Sequence, residues 1–250
     1  MIRRIHHVGI VVKRLTDACR FYRDTLGLPL LKEAELPDQG VRAALLAAGE
    51  SEIELLEPLD AGHGVARFLA KRGEGLHHLC FETPDIANAL AQLKDRKVEL
   101  LDAAPRRGLA GDIAFLHPRA CGHVLVELAT PRDPEAPPPA PLRLKRLVLG
   151  ARDVDATAEV FQSLFGLPEV AMNGGPRAML AVGREALLVV PAEEVGGTEG
   201  MVALSFVAED LSALYAAFDR AGTRCLRGTG EVTVHPVSSH GVHLHISRYE

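Results

Sequence analysis

Residues 5 to 12 read IHHVGIVV, an apolar, β-branched run that predicts a strand. The stretch LTDACRFYRDTLGL follows. In it Ala18, Phe21, Tyr22 and Leu26 share a helical face, and Gly27 supplies the stop. The same alternation returns further on. GLHHLCFET (residues 75 to 83) reads as a strand, and DIANALAQLKDRKV reads as a helix with Ile86, Leu90 and Leu93 on one face. Each copy then supplies about three short strands, the first ending in IELLEP and the second in VELATP. His7 and His78 stand 71 residues apart, and Glu54 and Glu127 stand 73 apart. The first half of the chain is therefore a repeated strand–helix–three-strand module.

Residues 130 to 141, TPRDPEAPPPAP, hold six prolines and predict a stiff extended segment. Beyond it the plan recurs twice, less cleanly. LKRLVLGARDVDATAEVFQSLFGL aligns with the first module, placing Gly166 under Gly27. MVALSFVAEDLSALYAAF aligns with the second, placing Phe206 under Phe81. The expected fold is α+β, with four βαβββ modules forming two paired domains with cupped mixed sheets. The expected boundaries are a metal-binding domain over 1–131, a Pro-rich linker over 132–141, and a degenerate domain over 142–250.

Adjacent residues on a strand face opposite ways, so at most one histidine of each doublet serves a given site. Internal symmetry places His7, Glu54, His78 and Glu127 at equivalent points of one sheet. Two imidazoles and two carboxylates form a mixed nitrogen and oxygen shell suited to Co²⁺, Zn²⁺, Ni²⁺ or Mn²⁺, with positions left open for substrate. His6 and His77 are expected to point away, as packed or edge histidines. In the second half Arg146 falls under His7, Ala203 under His78, His245 under Glu127, and Leu187 or Leu188 under Glu54. His243 and His245 share a strand face, but no carboxylate or first-strand histidine joins them. The second half is thus expected to hold no catalytic metal and to pack as an internal pseudo-dimer, with a homodimer left open.

Composition adds limits. The chain has 250 residues, 47% of them apolar and 24% charged, with a formal net charge of −5. That length supports a real core, and the acidic balance argues against a nucleic-acid partner. No run of about 18 apolar residues suggests a membrane span. MIRRIHHVGIVV reads as a first strand and not as a signal peptide. Cys19, Cys80, Cys121 and Cys225 show no CxxC spacing, so reduced thiols in the cytoplasm are expected.

The stretches IHHVGIVV, FYRDTLGL, PDQGVRAALL, SEIELLEPL, RFLAKRGEGLHHLCFE and AFLHPRACGHVLVEL resemble the methylmalonyl-CoA epimerases of the vicinal oxygen chelate superfamily. The resemblance covers about half the chain. It implies vicinal oxygen chelate domains, an acyl-CoA substrate, inversion at C2 and a divalent ion held by the second histidine of each doublet, His7 and His78, with Glu54 and Glu127. Some family members carry a glutamate base three residues after the Gly of the QG motif, where this chain has Ala43. Glu127, as ligand and base, is then the first catalytic candidate, Glu54 a weaker one, and a metal-bound water a third. CoA phosphates call for positive charge. Arg106, Arg107 and Arg119 stand for that role, against the equal alternative of a solvated basic loop. A glyoxalase I-like lyase and a non-catalytic small-molecule binding protein are the competing functions.

Overall fold

A computed structural model describes residues 2–132, 136–172 and 175–249. Residues 133–135 of the Pro-rich segment lie outside the described residues. The chain forms two eight-stranded mixed sheets with helices, an α+β fold.

The first sheet uses β1 (Ile5–Val11), β2 (Leu30–Leu36), β3 (Val41–Ala48), β4 (Ser51–Pro58), β5 (Gly75–Glu82), β6 (Arg106–Gly108), β7 (Gly111–Leu116) and β8 (Val126–Thr130). Their order is β2-β3-β4-β1-β5-β8-β7-β6. The second uses β9 (Leu142–Ala151), β10 (Glu169–Val170), β11 (Ala178–Val182), β12 (Glu185–Pro191), β13 (Gly200–Ala208), β14 (Cys225–Gly228), β15 (Glu231–Val234) and β16 (His243–Ser247). Its order, β10-β11-β12-β9-β13-β16-β15-β14, repeats the first. Each first-of-module strand is central in its sheet, which is why β1 and β5 read as nearly unbroken apolar runs.

The helices are α1 (Leu15–Cys19), α2 (Gly64–Arg72), α3 (Ile86–Asp95), α4 (Val154–Phe165) and α5 (Leu211–Ala221). Three of them start on an aspartate whose carboxylate accepts from the first turn: Asp85 from Asn88 N, Asp153 from Ala156 N, and Asp210 from Ser212 N and Ala213 N. These caps satisfy amides that the helix itself leaves unpaired. The expected faces are buried, with Ile86, Leu90 and Leu93 inward on α3 and Ala18, Phe21, Tyr22 and Leu26 inward in the first module. The first helix departs from the regular pattern, because α1 widens into a π-helical turn over Arg20–Thr25. Leu26 N donates to Phe21 O at 2.9 Å, and Thr25 Oγ1 takes up the Arg20 carbonyl at 3.0 Å. Widening by one residue lets the adjacent Phe21 and Tyr22 both turn inward.

By packing, the chain divides into two compact units, each drawing on both sides of the Pro-rich segment. One comprises Met1–His7, His78–Glu135 and Arg146–Val202. Within it the Phe81 and Phe165 rings meet at 5.0 Å, and Arg96 Nη2 donates to Ser163 Oγ at 2.9 Å. The other comprises Val8–His77, Ala136–Lys145 and Ala203–Glu250. Within it the buried Tyr22 hydroxyl donates to Ser239 O at 2.9 Å, and His240 Nδ1 pairs with Glu74 Oε1 at 2.9 Å. Gly241 sits at φ +82°, and a Cβ there would lie 1.9 Å from the Glu74 carbonyl oxygen, so only glycine fits this contact. Among the described residues no helix is long and apolar enough to cross a membrane.

Candidate metal centre

Strand geometry gathers the donors. β5 and β8 run parallel with Cys80 beside Glu127, and β7 runs antiparallel to β8 with Phe115 beside Glu127. Side chains two residues apart share a face, so His78 joins Cys80, Glu127 and Phe115 on one surface. His78 Nε2 lies 3.2 Å from Glu127 Oε2 and 2.9 Å from His7 Nε2. His7 Nε2 lies 3.8 Å from the same carboxylate oxygen. His7, Glu54 and His78 each bring a ligand atom to within 4.8 Å of the others. Relative exposures are 0% for His7, 6% for Glu54, 1% for His78 and 3% for Glu127.

Such a set fits a divalent ion. Ligand atoms about 2.1 Å from a common ion stand about 3.0 Å apart at right angles and about 4.2 Å apart when opposite. The three distances among His7, His78 and Glu127 run from 2.9 to 3.8 Å. A buried carboxylate beside two buried imidazoles is also costly to desolvate without a cation among them. Two nitrogens and hard oxygens suit a borderline or hard ion.

The residues around the donors differ in part from expectation. His77 is half-buried, its ring edge-on to Phe68 at 4.9 Å. His6 is buried, yet its ring does not turn away from the donors. Its Nδ1 lies 3.0 Å from His7 Nδ1, and His6, His7 and Cys80 bring their ligand atoms within 4.8 Å of one another. Sequence periodicity misses this contact because it assigns faces to Cβ atoms and leaves ring direction open. Ala43 is fully buried beside Leu56, while its i+2 neighbour Leu45 pairs with Glu54. Position 43 thus shares the Glu54 face and offers no proton carrier there.

The three arginines separate. Arg106 pairs with Ile113 across the β6–β7 ladder, and Ile113 shares the face of Phe115. The Arg106 guanidinium lies 5.5 Å over the Phe115 ring, which meets the His78 ring edge-on at 5.4 Å. Asp102 Oδ2 ties this pair together, accepting from Phe115 N at 2.9 Å and from Arg106 Nε at 3.4 Å. Arg107 pairs with Asp112 in register and so belongs to the opposite face. Arg119 is exposed and bound to Glu99 at 2.6 Å, a contact that holds the Glu99 carboxyl below the ordinary range. Phe115 and Asp102 carry no sequence signal of their own; the β7–β8 register brings Phe115 to the donors, and Asp102 reaches Phe115 and Arg106 from the segment before β6.

In the second sheet Arg146 lies beside Ala186, and Ala203 lies beside His243. His245 Nε2 pairs with Glu231 Oε2 at 3.0 Å on the exposed side of β16.

Fold and donor set define a two-sheet protein with a histidine–carboxylate centre, and the comparisons place it. The model of the glyoxalase/bleomycin resistance protein/dioxygenase superfamily matches residues 6–117, and the chain belongs to that superfamily. Its first half is methylmalonyl-CoA epimerase-like. It is 39% identical over 131 residues to the ethylmalonyl-CoA/methylmalonyl-CoA epimerase of Cereibacter sphaeroides, covering 51% of this chain and 98% of that protein. It is similar to a solved methylmalonyl-CoA epimerase in complex with methylmalonyl-CoA and NH4+, at 39% identity and TM-score 0.52, over 55% of this chain and 100% of that one. The whole chain shares its fold with a variant of 4-hydroxymandelate synthase from Streptomyces coelicolor. There the identity is 18%, the TM-score 0.73, and the coverage 98% of this chain and 92% of the other.

Proposed function

We propose that the protein is a metal-dependent epimerase that inverts C2 of methylmalonyl-CoA or a similar 2-substituted malonyl-CoA. The observation that carries this reading is the buried meeting of His7, Glu54 and His78, with Glu127 3.2 Å from His78, inside the epimerase-like half of the chain. His7, Glu54, His78 and Glu127 hold the ion, which is Co²⁺, Zn²⁺, Ni²⁺ or Mn²⁺ by donor type. Once bound, it supplies positive charge that lowers the energy of an enolate oxygen.

The chain's own groups do the rest. The C2 proton lies between a thioester and a carboxylate, and its removal sends the C–H electron pair to the thioester oxygen. Glu127 takes that proton on a carboxylate oxygen, and a second carrier returns one to the opposite face. Glu54 stands next in line for the return, since Ala43 cannot carry a proton. Phe115 supplies an apolar wall beside His78, and Arg106, steadied by Asp102, meets an anionic part of the acyl-CoA. The Pro-rich segment at 132–141 separates this metal-binding domain (1–131) from a domain of the same family (142–250) that lacks the ligands.

The test is exchange of the C2 proton. Racemic methylmalonyl-CoA in D₂O with protein and Co²⁺ should take up deuterium at C2 far faster than with the His7→Ala, His78→Ala variant. The hemithioacetal of methylglyoxal and glutathione is assayed beside it. Exchange no faster than in the blank sinks the epimerase reading, and turnover of the hemithioacetal in its place favours a glyoxalase I-like lyase.

A further inference from the structure

We infer that His6 is a positioning residue for the ion site, acting through His7. The inference rests on the metal-dependent reading above and adds a partner on the far side of a proposed ligand. His6 Nδ1 and His7 Nδ1 are 3.0 Å apart, both rings are buried, and their planes stand at 87°. Two nitrogens at that distance form a hydrogen bond in which one carries the proton and the other offers its lone pair.

The other nitrogen of His7 decides the direction. His7 Nε2 faces His78 Nε2 at 2.9 Å and Glu127 Oε2 at 3.8 Å, and this is the edge that meets the ion. A ligating nitrogen must keep its lone pair bare. The proton of neutral His7 then sits on Nδ1 and is donated to His6 Nδ1. His6 Nδ1 must itself be bare, so the His6 proton rides on Nε2. A ring with a lone pair at position 6 thus selects the ligating tautomer of His7, and the perpendicular contact holds the plane of the ligand ring. Cys80 is the third ligand-type group here, with its sulfur within 4.8 Å of both rings. It lies 3.8 Å from the Phe81 carbonyl oxygen, while the Nδ1 of His7 that faces this side is already engaged with His6. The arrangement therefore calls for an ion on the Nε2 side of His7 and none between His6, His7 and Cys80.

Losing a partner of this kind typically lowers metal affinity about 10–100-fold. The test uses the full-length chain and Zn²⁺ alone, with the dissociation constant measured against a chelator. His6→Leu removes the acceptor, and His6→Asn restores a side-chain oxygen near the same place. Wild type should bind one Zn²⁺ per chain, His6→Leu should bind about 10–100-fold more weakly, and His6→Asn should recover most of the loss. In ¹⁵N-labelled, zinc-loaded wild type, His7 should carry its proton on Nδ1 and His6 on Nε2, a signature that a merely structural role would not set.

Wild-type affinity in a folded His6→Leu, or a proton on His6 Nδ1, overturns the inference. If His6→Leu does not fold, His6→Asn and the tautomer measurement decide. A thiolate-to-metal charge-transfer band in the Co²⁺-loaded protein that vanishes in Cys80→Ser would put the ion on the wrong side of His7 and also overturn it. Wild type that binds no Zn²⁺ defeats the metal reading and this inference together. Wild type that binds Zn²⁺ beside an unchanged His6→Leu defeats this inference alone.

Discussion

Replacing Glu127 by glutamine separates the two tasks assigned to that side chain. Glutamine keeps the shape and one carbonyl oxygen, so the face between Cys80 and Phe115 keeps its packing. The amide can turn its oxygen or its NH₂ toward His78 Nε2, now 3.2 Å from the carboxylate, so no buried nitrogen is stranded. Some ion binding should survive at higher metal concentration, because the other three donors are untouched. The base function should not survive, since an amide accepts no proton at neutral pH. Loss of a general base costs about 10²–10⁴-fold in rate. At about 1.36 kcal/mol per decade, that is about 2.7–5.5 kcal/mol of barrier. The assay follows deuterium uptake at C2 of methylmalonyl-CoA across a Co²⁺ titration, with bound metal measured in parallel. Metal content should return to one per chain while exchange stays at least about 100-fold down. If exchange instead recovers fully with occupancy, Glu127 is a ligand only, and the base must be sought at Glu54 and around Gln39.

The full-length His7→Ala, His78→Ala chain should bind no stoichiometric Co²⁺; an ion that stays tightly bound would place a site in the second half. Arg106→Ala should raise KM for the CoA ester about 10–100-fold with little change in kcat, as expected for about 1.5–3 kcal/mol from a charged hydrogen bond. Arg119→Ala should change KM far less, and equal effects would contradict the placement of Arg106 on the His78 face. Tyr22→Phe removes the donor to Ser239 O, which among the described residues also accepts from Val242 N at 3.3 Å. The loss should be about 0.5–1.5 kcal/mol, read as a melting temperature lower by a few degrees; an unchanged Tm would show that the bond does not stabilise the fold. Burial pushes the Cys121 thiol up to about 12 from an ordinary 9.0. Between those values the unfolded chain loses a proton that the folded chain keeps. Stability from this group is therefore complete below pH 9 and falls as pH rises, by at most about 1.4 kcal/mol per unit. Urea unfolding of wild type and Cys121→Ala at pH 8 and pH 10 checks this, with the steeper decline expected in wild type.

Much of the candidate site was legible because it rests on repetition and strand period. The duplication put His7 and His78 at one offset and Glu54 and Glu127 at nearly the same one. Period-two alternation then chose which side chains shared a face. The caps at Asp85, Asp153 and Asp210 are local too, since a cap needs only the next three residues, although the periodicity marks the helix faces and not the caps. Other features depend on neighbours far off in sequence. The contact of His6 with His7 depends on how two rings rotate in a buried space, which no spacing reports. The β6–β7 register puts Arg106 on the face of Phe115, whereas Arg119 stands outside that ladder and is bound to Glu99. The π-helical turn at Arg20–Thr25 depends on what Phe21 and Tyr22 pack against. The contact of Phe81 on β5 with Phe165 on α4 joins a strand of the first half to a helix of the second, a pairing no local pattern reports. By itself the sequence determined the modules, the donor types and their pairing, because these are written in short periods. Tertiary structure alone decided ring direction, arginine placement and which modules pack together, because burial is shared among residues that the chain keeps apart.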